Sequence, residues 1–219
     1  MKFVAEISFG NYCNLSNYYC PRTLYATNDN YVELNPSVSY TTKTELVSFI
    51  YSERSEHSGQ KFRYEVAKAL ELKVDLFGSG TGKFLKEKID SLKDYMFQIV
   101  IENGKHPDYV SEKFFDCLKT NTVPIYWGGE ESVLKMGFDP KGILFFDSVE
   151  ELGKIIRSKV NEDSYKEVLP YTKKNLDRLI EIRKEANFNV VLSPVLLWAY
   201  FHTTKSYHGG KQDDISIHF

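Results

Sequence analysis

The chain has 219 residues, of which 42% are hydrophobic and 15% aromatic, enough for one domain with a buried core. Its formal net charge of -2 leaves no footprint for a polyanion, which argues against nucleic acid as a partner. Cys13, Cys20 and Cys117 form no CxxC or CxxH spacing, which argues against a zinc site or a disulfide framework and points to a reducing, cytoplasmic compartment.

In chain order, Phe3, Ala5, Ile7 and Phe9 alternate with more polar neighbours, the period of a half-buried strand. This N-terminus has Glu6 inside its apolar stretch, and no apolar run of about 18 residues follows, so neither signal peptide nor membrane span is expected. Residues 10–44, rich in Asn, Tyr, Ser and Thr, offer only a weak strand at Tyr31–Leu34. Leu46–Ser52 predicts a buried strand followed by a polar turn. Phe62, Val66, Ala69 and Leu70 then mark a helix over Lys61–Leu72. Lys73–Phe77 is the next strand, and Phe84, Leu85, Ile89 and Leu92 predict an amphipathic helix after it.

Tyr95–Ile101 is a nearly continuous apolar run, the mark of a strand covered on both faces. It stops abruptly at Glu102 and Asn103, and polar groups just past the carboxyl end of a central strand sit where an open α/β sheet binds ligands. A helix is predicted to begin around Asp108 to Ser111, either of which can cap it, with Glu112 and Lys113 in its first turn. Unsatisfied N–H groups, a helix dipole and a lysine at one helix start suit an anion, a phosphate above all. Ile143–Phe146 is a further short strand, and Ser148 with Glu151 forms a capping box opening a helix to about Val160. Strand and helix alternate throughout, which predicts a doubly wound, mainly parallel α/β sheet. A charged helix over Pro170–Phe188 turns Leu176, Leu179, Ile180 and Ile182 inward. Residues 190–201 are apolar, too short for a bilayer and broken at Pro194; they are expected to dock on the body or on a second subunit.

Gly78–Lys83 reads GSGTGK after a strand and invites a phosphate-loop interpretation, but its spacing fails. A Walker loop needs glycine at Phe77 and Ser or Thr at Phe84, and a dinucleotide fingerprint from Gly78 needs glycine at Lys83. A turn, at most lining the cleft, is the better reading.

Several ordered segments resemble the glycosyltransferase family 10 enzymes, the fucosyltransferases that use GDP-fucose. IEN at Ile101–Asn103, DYVSEKFFDCL from Asp108 and TVPIYWG from Thr122 are similar to that family's FEN, YVTEK and VPVYWG signature. The segment from Thr44 to Leu70, KVDLFGSG from Lys73 and GILFFDSVEEL from Gly142 resemble its flanking motifs in order, so the likeness covers about Thr44 to Asn175.

The resemblance implies a Rossmann-like donor half of a GT-B fold. Residues 1–43 would be a short N-terminal segment, 44–189 the nucleotide-sugar domain, and 190–219 an apolar segment and tail. It implies Arg63 and Lys113 as the catalytic cations that meet the donor's diphosphate, and Glu112 as the carboxylate on its ribose. Glu102, Asn103, Tyr109 and Ser111 complete the substrate-binding set, Ser111 standing where the family has threonine and Ile101 where it has phenylalanine. Two fixed cations aimed at a departing diphosphate stabilise the charge it gains, as oxyanion donors do. No Asp-x-Asp motif suggests a metal, and no cofactor beyond the GDP-sugar is expected.

Taken singly, these features have ordinary explanations. Glu-Lys in a first helical turn is commonly a solvated, dipole-matched pair, and a helical arginine commonly snorkels along the surface. The ordered set carries the reading. Relatives place the acceptor site and the general base in a further N-terminal domain, whereas about 43 residues precede the match here, too few for a full Rossmann-like half. That half is expected to be absent or reduced, with Glu6, Asp29, Glu33 and Glu53 as unranked substitutes for the base. The expected activity is transfer of fucose or a related sugar from a GDP donor to a glycan acceptor, with inversion. The alternatives are a non-catalytic nucleotide-sugar-binding module that needs a partner chain or a homo-oligomer, and a transferase using another nucleotide sugar.

Overall fold

A computed structural model describes residues 40, 42–70, 74–106 and 109–182. The predicted strands at Phe3–Phe9 and Tyr31–Leu34, the apolar segment 190–201, and the candidate bases Glu6, Asp29 and Glu33 lie outside the described residues.

Five strands, β1 (Glu45–Ile50), β2 (Asp75–Phe77), β3 (Tyr95–Ile101), β4 (Val123–Trp127) and β5 (Leu144–Phe145), form one sheet in the order β2-β1-β3-β4-β5. Every neighbouring pair is parallel, with Val47 opposite Phe97, Ile99 opposite Ile125 and Ile101 opposite Trp127. The helices are α1 (Ser58–Leu70), α2 (Glu112–Lys119), α3 (Glu130–Lys135), α4 (Val149–Lys159) and α5 (162–182).

All seven residues of β3 are buried because helices cover both sheet faces. Phe97, Ile99 and Ile101 join Val66 and Leu70 of α1 and Leu152, Ile155 and Ile156 of α4 in one core. Val100 and Tyr126 point the other way, into a second core with Phe114, Phe115 and Leu118 of α2, Val133 of α3, and Leu179 and Ile182 of α5. Each such large apolar side chain stabilises the fold by about 1.5–3 kcal/mol relative to exposure. The strand-and-helix alternation therefore produces the doubly wound α/β sheet expected of it. At the amino edge, Lys43 Nζ ties three segments together by donating to the Leu92 and Lys93 carbonyls and to Thr122 Oγ1, at 2.9, 3.0 and 3.1 Å.

Four details correct the sequence reading. No α-helix spans Phe84–Leu92; a single 3₁₀ turn at Lys88–Ser91 stands there instead. Of the four residues expected to line that helix, Leu92 is fully buried, whereas Phe84 is 77% exposed, so no apolar stripe exists to dock it. On α1 the buried side is Gln60, Arg63, Val66, Ala67 and Leu70, leaving Ala69 exposed. α5 starts eight residues before Pro170, where Asn161 Oδ1 caps it by accepting from the Ser164 N–H at 2.9 Å. α3, which carries no prominent apolar period, adds Val133 to the second core.

Candidate functional site

The connection from β1 runs to one side of the sheet and those from β3 and β4 run to the other, so a crevice opens past the carboxyl ends of β1 and β3. α1 begins beside it. The Gly59 N–H donates to the Asn103 carbonyl at 3.0 Å, and a Cβ at Gly59 would stand 1.8 Å from the Glu102 carbonyl oxygen. Only a residue without a side chain lets the helix start this close to the end of β3.

That approach carries Arg63 into the crevice. Its Nε and Nη2 donate to the Ile101 carbonyl at 2.8 and 2.5 Å, and Nη2 also donates to Asn103 Oδ1 at 2.8 Å. The side chain is 8% exposed, and burial lowers its pKa while Glu102, Tyr109 and Glu112 raise it. It stays charged, because a guanidinium is not deprotonated in proteins. Nη1 makes no hydrogen bond among the described residues.

Glu102 is fully buried. Its Oε1 accepts from the Ser111 N–H at 2.8 Å and from the Tyr126 hydroxyl at 3.3 Å, and Oε2 accepts from the Ser111 hydroxyl at 2.5 Å. Desolvation raises its pKa, partly offset by Lys113 and by the Ser111 bonds. Gly128 completes the enclosure, since a Cβ there would lie 2.5 Å from the Tyr126 hydroxyl and 2.6 Å from Glu102 Cγ. Glu102 thus fixes the chain entering α2.

Ser111 is the α2 cap, accepting from the Lys113 N–H. Lys113 Nζ reaches Ser111 Oγ at 3.2 Å and Glu112 Oε1 at 2.9 Å, with both side chains of the Glu112–Lys113 pair a little under a third exposed. Burial raises the Glu112 pKa, but Lys113 and Lys88 outweigh it and hold the carboxyl below its usual range. Tyr109, partly buried, sits in the field of Glu102, Glu112 and Arg63, and burial pushes its hydroxyl pKa up.

The structure therefore brings Arg63, Glu102, Asn103, Tyr109, Ser111, Glu112 and Lys113 to one edge of the sheet. Glu53 lies exposed in the loop after β1. Gly78–Lys83 is a tight turn closed by the Gly78 N–H on the Lys83 carbonyl at 3.0 Å, and the Tyr51 hydroxyl, just past the end of β1, donates to its Gly80 carbonyl at 2.8 Å. A shallow depression of about 470 Å³ adjoins the site, lined by Lys105, His106, Gly128, Gly129, Glu130 and Leu134. Lys105 pairs with Asp147 there and stands 5.8 Å from the centre of the Trp127 ring. The sequence reading missed Lys88 and Asp116, because the lysine that joins Asp116 to Glu112 arrives only by tertiary packing. Among the described residues, no group of three His, Cys, Asp or Glu side chains is placed to hold a metal ion, and no helix is long and apolar enough to cross a membrane.

Comparison with known proteins matches residues 40–187 to the model of glycosyltransferase family 10 (fucosyltransferase) C-term. The chain is 29% identical over 118 residues to the Homo sapiens 3-galactosyl-N-acetylglucosaminide 4-alpha-L-fucosyltransferase, covering 53% of this chain and 32% of that protein. It is likewise 29% identical over 118 residues to the Homo sapiens 4-galactosyl-N-acetylglucosaminide 3-alpha-L-fucosyltransferase, covering 53% and 31%. Among solved structures it is similar to an alpha1,3-fucosyltransferase with GDP-fucose, at 24% identity and a TM-score of 0.47 over 61% of this chain and 40% of that one. An alpha1,3-fucosyltransferase with GDP is similar at 22% identity and a TM-score of 0.49, over 70% and 48%. The chain spans about a third of the length of the curated relatives it matches. By the extent of the family match, this chain belongs to glycosyltransferase family 10, the fucosyltransferases, through that family's C-terminal region.

Proposed function

We propose that the crevice past β1 and β3 binds a GDP-sugar and that the chain takes part in transferring fucose from it to a glycan acceptor, with inversion at the sugar carbon and without a metal ion. One observation carries the reading: Arg63, held on the Ile101 carbonyl and Asn103, faces the same edge as the α2 start bearing Glu112 and Lys113. Family membership makes fucose the sugar to test first.

In this reading Arg63, through Nη1, and Lys113 meet the diphosphate. Breaking the glycosyl bond leaves that group with added negative charge, and cations already in place stabilise it without reorganising. The α2 dipole and its first N–H groups add to the same field. Glu112 accepts from the ribose hydroxyls, Tyr109 and Asn103 flank the donor, and Glu102 with Ser111 fixes the turn between them. Losing one charge-stabilising donor costs about 10²–10³ in rate.

The test is calorimetric titration of the purified chain with GDP, GDP-fucose, GDP-mannose and UDP in chelator, beside Lys113→Ala. Binding of the GDP compounds, lost or weakened at least tenfold in Lys113→Ala with an unchanged melting temperature, is expected; this is about 1.4 kcal/mol. Equal binding of UDP and GDP would move the reading to another nucleotide sugar, and no nucleotide binding at all would sink it.

A further inference from the structure

Glu112 and Asp116 stand one helical turn apart on α2, an arrangement in which like charges destabilise a helix. Asp116 is fully buried, with Oδ2 at 2.7 Å from Lys88 Nζ and Oδ1 at 2.8 Å from Lys119 Nζ. Lys88 Nζ also lies 3.7 Å from Glu112 Oε1, the oxygen that Lys113 Nζ meets at 2.9 Å. Two lysines from different elements therefore share one oxygen of the carboxylate.

The two are not equivalent. Lys113 is bonded only to its neighbours Glu112 and Ser111 in the described contacts, and a diphosphate can draw it away. Lys88 has a buried anchor at its tip and a fixed backbone. The Ser91 hydroxyl donates to the Lys88 carbonyl at 2.8 Å, and Ser91 is itself held by Gln98 Nε2 at 3.1 Å and by the Ser48 hydroxyl on its carbonyl at 2.5 Å. The remaining charges felt around Glu112 are Glu102, which opposes its ionisation, and Arg63, which favours it.

We propose that Lys88, anchored by Asp116, is a positioning residue that keeps Glu112 ionised and aimed at the donor's ribose when Lys113 turns to the diphosphate. This rests on the donor reading above and adds a residue that the signature motifs do not contain. A lysine in the 3₁₀ turn before β3 then governs how strongly the ribose hydroxyls are held, while leaving the diphosphate contacts alone.

The test compares GDP with 2′,3′-dideoxy-GDP, which lacks the hydroxyls that Glu112 would accept from, by calorimetry on the purified chain. Wild type is expected to prefer GDP by about tenfold, the size of a charge-assisted hydrogen bond. Lys88→Met should reduce that preference to within about twofold while leaving the dideoxy affinity in place, and Lys88→Arg should restore it. Lys88→Gln, which can still donate to Asp116, gives the same reading if the methionine variant folds poorly. An unchanged preference in Lys88→Met or Lys88→Gln overturns the proposal and leaves the donor reading intact; a wild type that binds both nucleotides equally overturns the proposal together with the ribose role of Glu112, while GDP binding at the crevice stands. A wild type that binds neither nucleotide overturns both.

Discussion

The carboxylate of Glu102 receives both the backbone N–H and the hydroxyl of Ser111, at 2.8 and 2.5 Å, and so ties the end of β3 to the start of α2. With the Tyr126 hydroxyl as a further donor, the buried charge is satisfied by protein groups. Glu102→Ala leaves those donors buried without an acceptor and should cost about 3 kcal/mol in urea denaturation. Glu102→Gln preserves the shape and should cost less. It should also alter the pH dependence. Burial raises the Glu102 pKa in the folded state, so the folded chain holds this proton to higher pH than the unfolded chain does. The carboxyl's contribution to stability therefore declines as pH rises from the ordinary glutamate range through the raised value. Wild type minus Glu102→Gln should show that decline, and a flat difference would refute it.

Two glycines separate steric from conformational demands. At Gly59 an added Cβ meets the Glu102 carbonyl oxygen at 1.8 Å, whereas at Gly82 it meets nothing within 4 Å but the backbone has φ +69°. Gly59→Ala must push α1 off the end of β3 and carry Arg63 with it, at a cost of about 1–3 kcal/mol or more and with loss of GDP binding. Gly82→Ala pays only left-handed strain, about 1–2 kcal/mol, and should keep binding. Melting temperatures beside GDP titrations of the two variants decide this.

How much of this was legible in the sequence differs by element. The bounds of β3 follow from an apolar run with no polar residue but Gln98, whereas the start of α2 is open in the sequence between Asp108, which lies outside the described residues, and Ser111, where the structure puts the cap. The false helix over Phe84–Leu92 has the right spacing, yet buried Ser91 is bound to Ser48 and Gln98, a tight polar contact that a helical apolar face would not make. Arg63 shows the limit most clearly. The sequence spacing sets the inward face at Phe62, Val66, Ala69 and Leu70 with Arg63 beside it, whereas the structure buries Arg63 with Gln60, Val66 and Leu70, and a charge on that side has no rationale until the Ile101 carbonyl and Asn103 appear opposite it. Lys88 and Asp116 lie 28 residues apart, and nothing local to either points to the other.

Arg63 is also where a conservative change should fail. Its fork spans the Ile101 carbonyl and Asn103 Oδ1 with Nη1 left over, whereas a lysine has one nitrogen for all three directions. Arg63→Lys should lower stability by about 1–2 kcal/mol and weaken GDP binding at least tenfold, with unchanged near-UV circular dichroism. Asn103→Ala releases Nη2 but leaves the Ile101 contacts, so it should weaken binding less. Retention of full GDP affinity in Arg63→Lys would show that the guanidinium serves the fold alone.

The Glu112 carboxyl offers a direct reading of the charges around it. Its burial raises the pKa, and Lys113 and Lys88 more than reverse that, so it titrates below the ordinary range in the folded state. A depressed folded value contributes stability that is present above the unfolded pKa and is lost as pH falls through the folded one. The carboxyl resonance of Glu112, followed by carbon-13 NMR with pH, should titrate below the ordinary glutamate range. Removing either cation should move the Glu112 midpoint upward, by more in Lys113→Ala, since Lys113 both bonds to it and stands nearer, at 2.9 Å against 3.7 Å for Lys88. The same upward movement should shift the acid limit of GDP binding to higher pH in Lys88→Met, because a protonated Glu112 cannot accept two ribose hydroxyls as an anion does. An acid limit that stays put while the NMR midpoint moves would place the ribose on another group.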